Sequence, residues 1–316
     1  MTSIRVSVRW ILLAIVALSL TSASFAQVFV SVRIGPPALP IYAQPICPGP
    51  GYMWTPGYWG WNDDGGYYWV PGTWVVAPVG LLWTPGYWGW SGGFYAWHPG
   101  YWGPHVGFYG GINYGFGYGG VGFAGGEWRG GAFFYNRSVT NVTVTSVTNV
   151  YTRTVVVNEN HTAFNGGEGG VRAEPTAEER VAEHEQHTEA LASQTEHERV
   201  ASQSRQNFAS ENHGRPAVAA TARPGDFSER SAVAAHSAGG EYHEPAMSPK
   251  EARGPSTGEG THSMGSEKPA GESRTSNEHA TNEPKPNNSH ASQQHKSNPP
   301  KKNKEDRPKE DKHHDH

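Results

Sequence analysis

The stretch WTPGYWGWNDDGGYYWVPGTW, residues 54–74, decides the fold of this chain. Five of its 21 residues are tryptophan, and nearly all the others are glycine, proline, tyrosine or turn formers. Because glycine and proline break helices and bend strands, the indoles either form a small core or form a surface that binds a ligand. We expect most of them to pack against one another.

This stretch is part of a tandem repeat that covers residues 51–102. The octapeptide WTPGYWGW occurs at 54–61 and again, unchanged, at 83–90. Each copy is followed by a glycine pair, an aromatic cluster and a second W-x-P-G-x-W hexad, which gives two modules of about 29 residues each. The four hexads are Trp54–Trp59, Trp69–Trp74, Trp83–Trp88 and Trp97–Trp102.

A Pro-Gly pair lies inside every hexad. Proline sets φ for the first central position of a type II turn, and glycine takes the positive φ of the second. The pairs predict tight reversals between short strands, such as Tyr58–Trp61, Tyr67–Val70 and Tyr87–Trp90, in an antiparallel β-meander. The predicted turn residues are Pro56, Gly57, Pro71, Gly72, Pro85, Gly86, Pro99 and Gly100.

The repeat tryptophans have two interpretations. Alternation along a strand places Trp59 and Trp61 on one face, and the second copy repeats this pattern. If half the rings faced water, too little apolar area would be buried to offset the ordering of the chain, so we favour packing. The alternative is a stacking surface for sugar rings, peptidoglycan or proline-rich peptides. The residues concerned are Trp54, Trp59, Trp61, Trp69, Trp74, Trp83, Trp88, Trp90, Trp97 and Trp102.

The N-terminus predicts export. Arg5 and Arg9 accompany an apolar run, Trp10–Leu20, which is too short to span a bilayer comfortably. Small residues near Ala26 predict cleavage of a signal peptide, residues 1–26, before Gln27. An uncleaved anchor helix is the alternative.

The rest of the chain divides by composition, and the fold class is mostly β. We expect a small Trp-rich antiparallel β-meander with a Val/Thr strand segment, then a short helical stretch and a long disordered tail. The predicted segments are a proline-rich extended lead-in (27–50), a mobile or irregular Gly/aromatic-rich loop (103–131), Val/Thr-rich strands (132–164, strongest over 132–158), a solvated polar helical stretch (174–207, opened by Pro175–Glu179) and a disordered polar His/Lys/Glu/Pro tail (208–316).

Charge and motifs indicate no catalytic or nucleic-acid-binding role. The net charge is −4 and the pI is near 6.5, which gives no electrostatic reason to expect nucleic acid. The sequence contains no G-x-S-x-G, H-E-x-x-H or P-loop pattern, so we predict neither an enzyme nor a cofactor. Asp63 and Asp64 are interpreted as turn residues. His313, His314 and His316 are weak candidates for metal binding, with solvation the favoured role.

The hexads resemble those of the YXWGXW-repeat proteins, an exported bacterial family built on W-x-x-G-x-W. The matching residues are Trp54/Gly57/Trp59, Trp69/Gly72/Trp74, Trp83/Gly86/Trp88 and Trp97/Gly100/Trp102. The resemblance implies an envelope location, whether periplasmic, outer-envelope associated or extracellular, and it carries over no activity.

We therefore predict a non-enzymatic structural or interaction protein of the cell envelope, with no transmembrane span after signal cleavage. Its expected partner is cell-wall glycan or another envelope protein, and self-association stays open. The alternative function is a glycan- or peptidoglycan-binding module that uses exposed tryptophan faces.

Overall fold

The computed structural model describes residues 30–156 and 159–255. Short strands dominate it and most of them pair antiparallel, so the mostly-β prediction is confirmed. The strands are β1 (Ser31–Val32), β2 (Tyr52–Thr55), β3 (Tyr58–Asn62), β4 (Gly66–Val70), β5 (Gly72–Val76), β6 (Leu82–Thr84), β7 (Tyr87–Ser91), β8 (Phe94–His98), β9 (Tyr101–Gly103), β10 (Asn113–Gly115), β11 (Tyr118–Gly119), β12 (Gly126–Arg129), β13 (Ala132–Asn136), β14 (Val150–Tyr151), β15 (Phe164–Asn165), β16 (Ala220–Thr221) and β17 (Ala232–Val233). The helices are α1 (Ala177–Glu183), α2 (Ala192–Gln203), α3 (Ala209–Asn212) and α4 (Pro249–Ala252), with a 3-10 turn at Arg205–Asn207.

The two modules fold alike, as nested strand pairs. In the first module β3 and β4 form a hairpin, while the outer strands β2 and β5 pair with each other. The second module repeats this order, with β7 and β8 inside and β6 and β9 outside. In a simple meander each strand would pair with its sequence neighbours. The observed order differs because each Pro-Gly corner carries the chain from one ladder into another.

The Pro-Gly corners lack the left-handed glycine that a type II turn requires. Positive φ occurs instead at hairpin-loop glycines such as Gly66, where φ is 79°. Gly57, Gly72, Gly86 and Gly100 do not have positive φ. The type II prediction is therefore wrong, and these glycines are needed for another reason.

Segments outside the repeat extend its ladders. One four-stranded sheet has the order β1-β8-β7-β15, and another has the order β17-β16-β5-β2. The strand β16 pairs in parallel with β5, and both Ala219 and Ala220 are fully buried. Disorder predicted from residue 208 is therefore wrong for residues 208–255. The predictions for residues 1–29 and 256–316 lie outside the described residues.

The Gly-rich segment 103–131 is irregular, as predicted, but it is packed rather than mobile. Tyr109 and Tyr118 are both fully buried. The Tyr118 hydroxyl donates to the carbonyl oxygen of Trp83 (2.9 Å) and lies 3.5 Å from that of Trp54. These two carbonyls occupy equivalent positions in the two modules. The ring of Tyr118 therefore joins the modules, which the glycine content of the segment did not reveal.

Of the strand segment predicted over 132–158, the described part, residues 132–156, forms less strand than predicted. β13 pairs with β12 and β14, but residues 137–149 are turns and irregular backbone. Asn136 is fully buried, and its Nδ2 donates to the carbonyl oxygens of Ala124 (3.0 Å) and Arg153 (2.9 Å). The Asn136 side chain thus makes backbone contacts at the point where the strand ends.

The helical stretch predicted over 174–207 is confirmed by α1, α2 and the 3-10 turn. A capping box begins α1: Thr176 Oγ1 accepts from the Glu179 N–H (3.2 Å), and Glu179 Oε2 accepts from the Thr176 N–H (2.9 Å). Within the described ranges, no helix combines the length and apolarity needed to cross a membrane.

Candidate functional site

Four tryptophan pairs face each other across the repeat ladders. Every hexad places its two tryptophans on different strands, one in an outer ladder and one in a hairpin, where each meets a tryptophan of the other hexad in its module. The W-x-x-G-x-W spacing therefore produces cross-strand aromatic pairs, which stabilise antiparallel ladders. The ring-centroid distances are 5.2 Å for Trp54–Trp74, 5.1 Å for Trp59–Trp69, 5.3 Å for Trp83–Trp102 and 5.4 Å for Trp88–Trp97.

The hexad glycine lies directly under a tryptophan of the partner hexad. A Cβ atom at Gly57 would overlap Cζ2 of Trp69 and lie 2.8 Å from the backbone N of Gly72. A Cβ atom at Gly72 would lie 2.5 Å from Cζ2 of Trp54. The second module repeats the arrangement, with Gly86 under Trp97 and Gly100 under Trp83. The close approach of two backbones and an indole, rather than a positive φ, therefore requires glycine here.

Most repeat tryptophans are hidden from solvent. Trp61 and Trp97 are half-buried, and Trp90 is 40% exposed. Trp90 lies near the end of β7, beside the loop of its hairpin, so its ring is the main repeat indole that a ligand in solution would meet. The buried members, at most 7% exposed, are Trp54, Trp59, Trp69, Trp74, Trp83, Trp88 and Trp102.

The buried indole N–H groups connect the repeat to other parts of the chain. The Trp54 N–H is buried and has no partner among the described residues. Five other buried indoles each donate their N–H to an acceptor within the chain, so these five N–H groups are not available to a ligand. The bonds run from Trp59 to Ala38 O (3.1 Å), Trp69 to Ala219 O (2.9 Å), Trp74 to Pro45 O (2.9 Å), Trp88 to Trp59 O (2.8 Å) and Trp102 to Gln194 Oε1 (2.8 Å).

Helix α2 packs on both repeat modules through a largely polar face. The prediction of solvated helical pieces is therefore wrong for α2. Gln194, His197, Glu198 and Ala201 occupy positions i, i+3, i+4 and i+7 of the helix and therefore share that face. His197 is 2% exposed and Ala201 is fully buried. Hydrophobic periodicity could not show this face, because most of its residues are polar. The spacing of these four residues was the only signal that the sequence offered.

His197 joins α2 to two other segments. Its Nε2 lies 2.9 Å from the carbonyl oxygen of Pro71, and its Nδ1 lies 2.9 Å from the backbone N of Gly225. Because a backbone N–H can only donate, Nδ1 accepts and Nε2 carries the proton. Burial lowers the pKa of His197 to about 4, against the smaller opposite effect of the Pro71 carbonyl. The imidazole is therefore held neutral.

Glu198 is the half-buried carboxyl next to this histidine. Burial raises its pKa, and hydrogen bonds from Tyr58 and Tyr68 lower it. The Tyr68 hydroxyl donates to Glu198 Oε1 at 3.3 Å. A cavity of about 100 Å³ lies beside these groups, which is room for roughly three water molecules. This polar cluster is thus an internal contact between α2 and the repeat.

The neutral state of His197 predicts that stability falls in acid. The unfolded imidazole has a pKa near 6.5 and the folded one about 4, so the unfolded state binds more protons between these values. The free energy of unfolding should therefore fall as the pH drops from about 6.5 to about 4, by about 3 kcal/mol in total. Urea unfolding at several pH values, with His197→Gln as control, measures this.

The difference between the wild-type and His197→Gln curves isolates the histidine from other groups. Glu198 acts in the opposite direction in acid, because its folded pKa is raised and protonation then favours the folded state. A difference curve that is flat between pH 6.5 and 4 would contradict a buried neutral His197.

Acidic and histidine residues do not form a metal centre in the described ranges. No group of three or more His, Cys, Asp or Glu residues there could hold a metal ion. Asp63 pairs with Arg253 (3.1 Å) and Asp64 with Lys250 (3.0 Å). The candidates His313, His314 and His316 lie outside the described residues.

The comparison with protein families finds a known repeat in this chain. Residues 49–75 and 79–102 each match the model of the WXXGXW repeat family. No curated protein and no solved structure matches the chain. Each matched range contains two hexads, one outer strand pair and one hairpin. The chain thus carries two tandem copies of the WXXGXW repeat.

Proposed function

We propose that the protein is an exported, non-enzymatic structural or interaction protein of the bacterial cell envelope, with the tryptophan repeat as its folded anchor. The supporting observation is that the repeat indoles turn inward and hold other segments of the chain. Trp59 binds the proline-rich lead-in at Ala38, and Trp69 binds a distant segment at Ala219. A repeat used in this way is a scaffold that presents the surrounding surface to a partner.

Tryptophan fluorescence tests the scaffold role. The native protein should show blue-shifted emission that acrylamide quenches weakly, since seven of the repeat indoles are at most 7% exposed. Trp90→Phe should reduce the quenchable fraction, because Trp90 is 40% exposed while Trp61 and Trp97 are half-buried. Red-shifted, readily quenched emission that Trp90→Phe leaves unchanged would instead support a surface of exposed tryptophan faces.

Export rests on the N-terminal sequence alone and needs its own test. Arg5 and Arg9, the apolar run Trp10–Leu20 and the small residues before Gln27 support a cleaved signal. In a bacterial host we expect the protein in the envelope or medium, with a mature N-terminus at Gln27 by mass spectrometry. Leu13→Arg, which places a charge in the apolar run, should keep it in the cytoplasm. Full-length wild-type protein in the cytoplasm would contradict export.

A further inference from the structure

Phe116 has a backbone conformation that large residues rarely adopt. Its φ is +51°, between Gly115 at +74° and Gly117 at +99°. A glycine at position 116 would avoid the steric cost of this left-handed conformation. Strain of this kind persists only where the surroundings hold it, and it is concentrated at binding sites. The aromatic ring at this position therefore needs an explanation.

The repeat core holds Phe116 in place. Its ring centroid lies 5.6 Å from that of Trp54, at an interplanar angle of 75°, and 5.3 Å from that of Tyr42, at 42°. Phe116 and Tyr42 are each half-buried, so part of each ring stays accessible. Tyr42 is itself tied to the first hexad, since its hydroxyl accepts from the Gly57 N–H at 3.4 Å.

Both rings line a cleft of about 500 Å³. The Pro-Gly corner at Gly57 and the side chain of Trp69 contribute to the same cleft, together with the exposed Glu159 and the half-buried His161. Among the described residues that line it there is no lysine or arginine. A carboxylate and an imidazole therefore meet an aromatic wall at a site without a cation.

We propose that this cleft binds a neutral saccharide ring. Its volume lies within the range of about 300–1,000 Å³ that is usual for small-ligand pockets, which combine an aromatic lining with few polar groups. The apolar C–H face of a sugar would pack on Phe116 and Tyr42, and its hydroxyls would bond to Glu159 and His161. The lack of a lining cation disfavours phosphates and other anions.

The accessible rings of this site are those of Phe116 and Tyr42, while the lining repeat tryptophan, Trp69, is fully buried. The proposal goes beyond the scaffold role and names a ligand class for it. The two proposals are tested by different measurements. Red-shifted, readily quenched tryptophan emission would contradict the scaffold role, whereas the saccharide-binding assay tests the cleft directly.

Saturation-transfer NMR on the mature protein tests the cleft, with N,N′-diacetylchitobiose, cellobiose and maltose as probes. At least one probe should bind with a Kd of about 1 mM or tighter. Phe116→Gly, which relieves the backbone strain, and Glu159→Gln should each weaken binding at least about tenfold, or by 1.4 kcal/mol. Trp90→Ala, which removes an exposed indole outside the cleft, should leave it unchanged. Circular dichroism checks that each variant is folded.

Three outcomes would overturn the proposal. The first is no transfer to any of the three probes. The second is binding that Trp90→Ala abolishes while Phe116→Gly and Glu159→Gln retain it. The third is binding of a polyproline peptide in the cleft with no saccharide binding, which would make the occupant a peptide.

Discussion

Replacing Gly57 by alanine is expected to destabilise the protein by more than about 3 kcal/mol, near the upper end for a single methyl group. The added Cβ would overlap the Trp69 ring and lie 2.8 Å from two backbone atoms, the N of Gly72 and the O of Val70. An exposed side chain could move aside, but here the obstacles are two ladder backbones and a fully buried indole. Urea unfolding, monitored by tryptophan fluorescence, measures the loss of unfolding free energy directly.

Gly119→Ala is the matched control. Gly119 is exposed, does not have positive φ, and nothing lies within 4 Å of a Cβ added there. Its effect should stay within about 0.5 kcal/mol. Equal losses of unfolding free energy for Gly57→Ala and Gly119→Ala would mean that the close backbone approach is not the reason why the hexad requires glycine.

Trp69→Ala should cost about 3–5 kcal/mol, the usual range for truncating a buried aromatic residue. Three contacts are lost together: the pair with Trp59 at 5.1 Å, the cover over Gly57, and the N–H bond to Ala219 O at 2.9 Å. The last contact joins the repeat to the sheet that contains β16. The change should therefore also raise hydrogen exchange at the backbone amides of β16.

Trp90→Ala serves as its control. Trp90 is also a tryptophan of the same repeat, but it is 40% exposed, and its ring centroid lies 4.6 Å from that of Tyr95. Its truncation should cost about 1 kcal/mol or less. Comparable losses of unfolding free energy for Trp69→Ala and Trp90→Ala would show that burial does not determine how much each repeat indole contributes to stability.

The repeat itself could be predicted from sequence, because its pattern is local. The duplicated WTPGYWGW identified the strands that begin at Tyr58 and Tyr87, and the number of indoles indicated a core. The corner geometry could not be predicted in the same way. Pro-Gly is compatible with a type II turn and with a close backbone approach, and only the partner strand decides between them.

The segments around the repeat were harder to predict because their contacts are polar or made by small residues. Helix α2 binds through Gln194, His197 and Glu198, and β16 through Ala220 and Thr221, so neither shows an apolar stripe. The hydropathy of both segments therefore predicts that they are exposed to solvent. These segments are buried because the repeat offers them hydrogen-bonding groups and closely fitting surfaces. Those groups are distant in sequence, so a short stretch of sequence around each segment does not reveal them.

The saccharide cleft had no counterpart in the sequence prediction either. Its walls come from positions as far apart as Tyr42, Phe116 and His161. Phe116 stands in a run of glycines, and composition alone assigned that run to a loop. Only the sign of its φ angle, at +51°, marks the position as unusual.

One bond bears on how such a chain could grow by gene duplication. The Trp88 N–H donates to the carbonyl of Trp59, the equivalent residue 29 positions earlier, while Trp59 itself donates to Ala38 O in the lead-in. Trp59 therefore supplies both the donor that the lead-in accommodates and the acceptor that the second unit uses. An in-frame duplication of 29 residues would also duplicate the indole N–H that makes this contact. The number of repeats can therefore change in evolution without a new kind of interface between units.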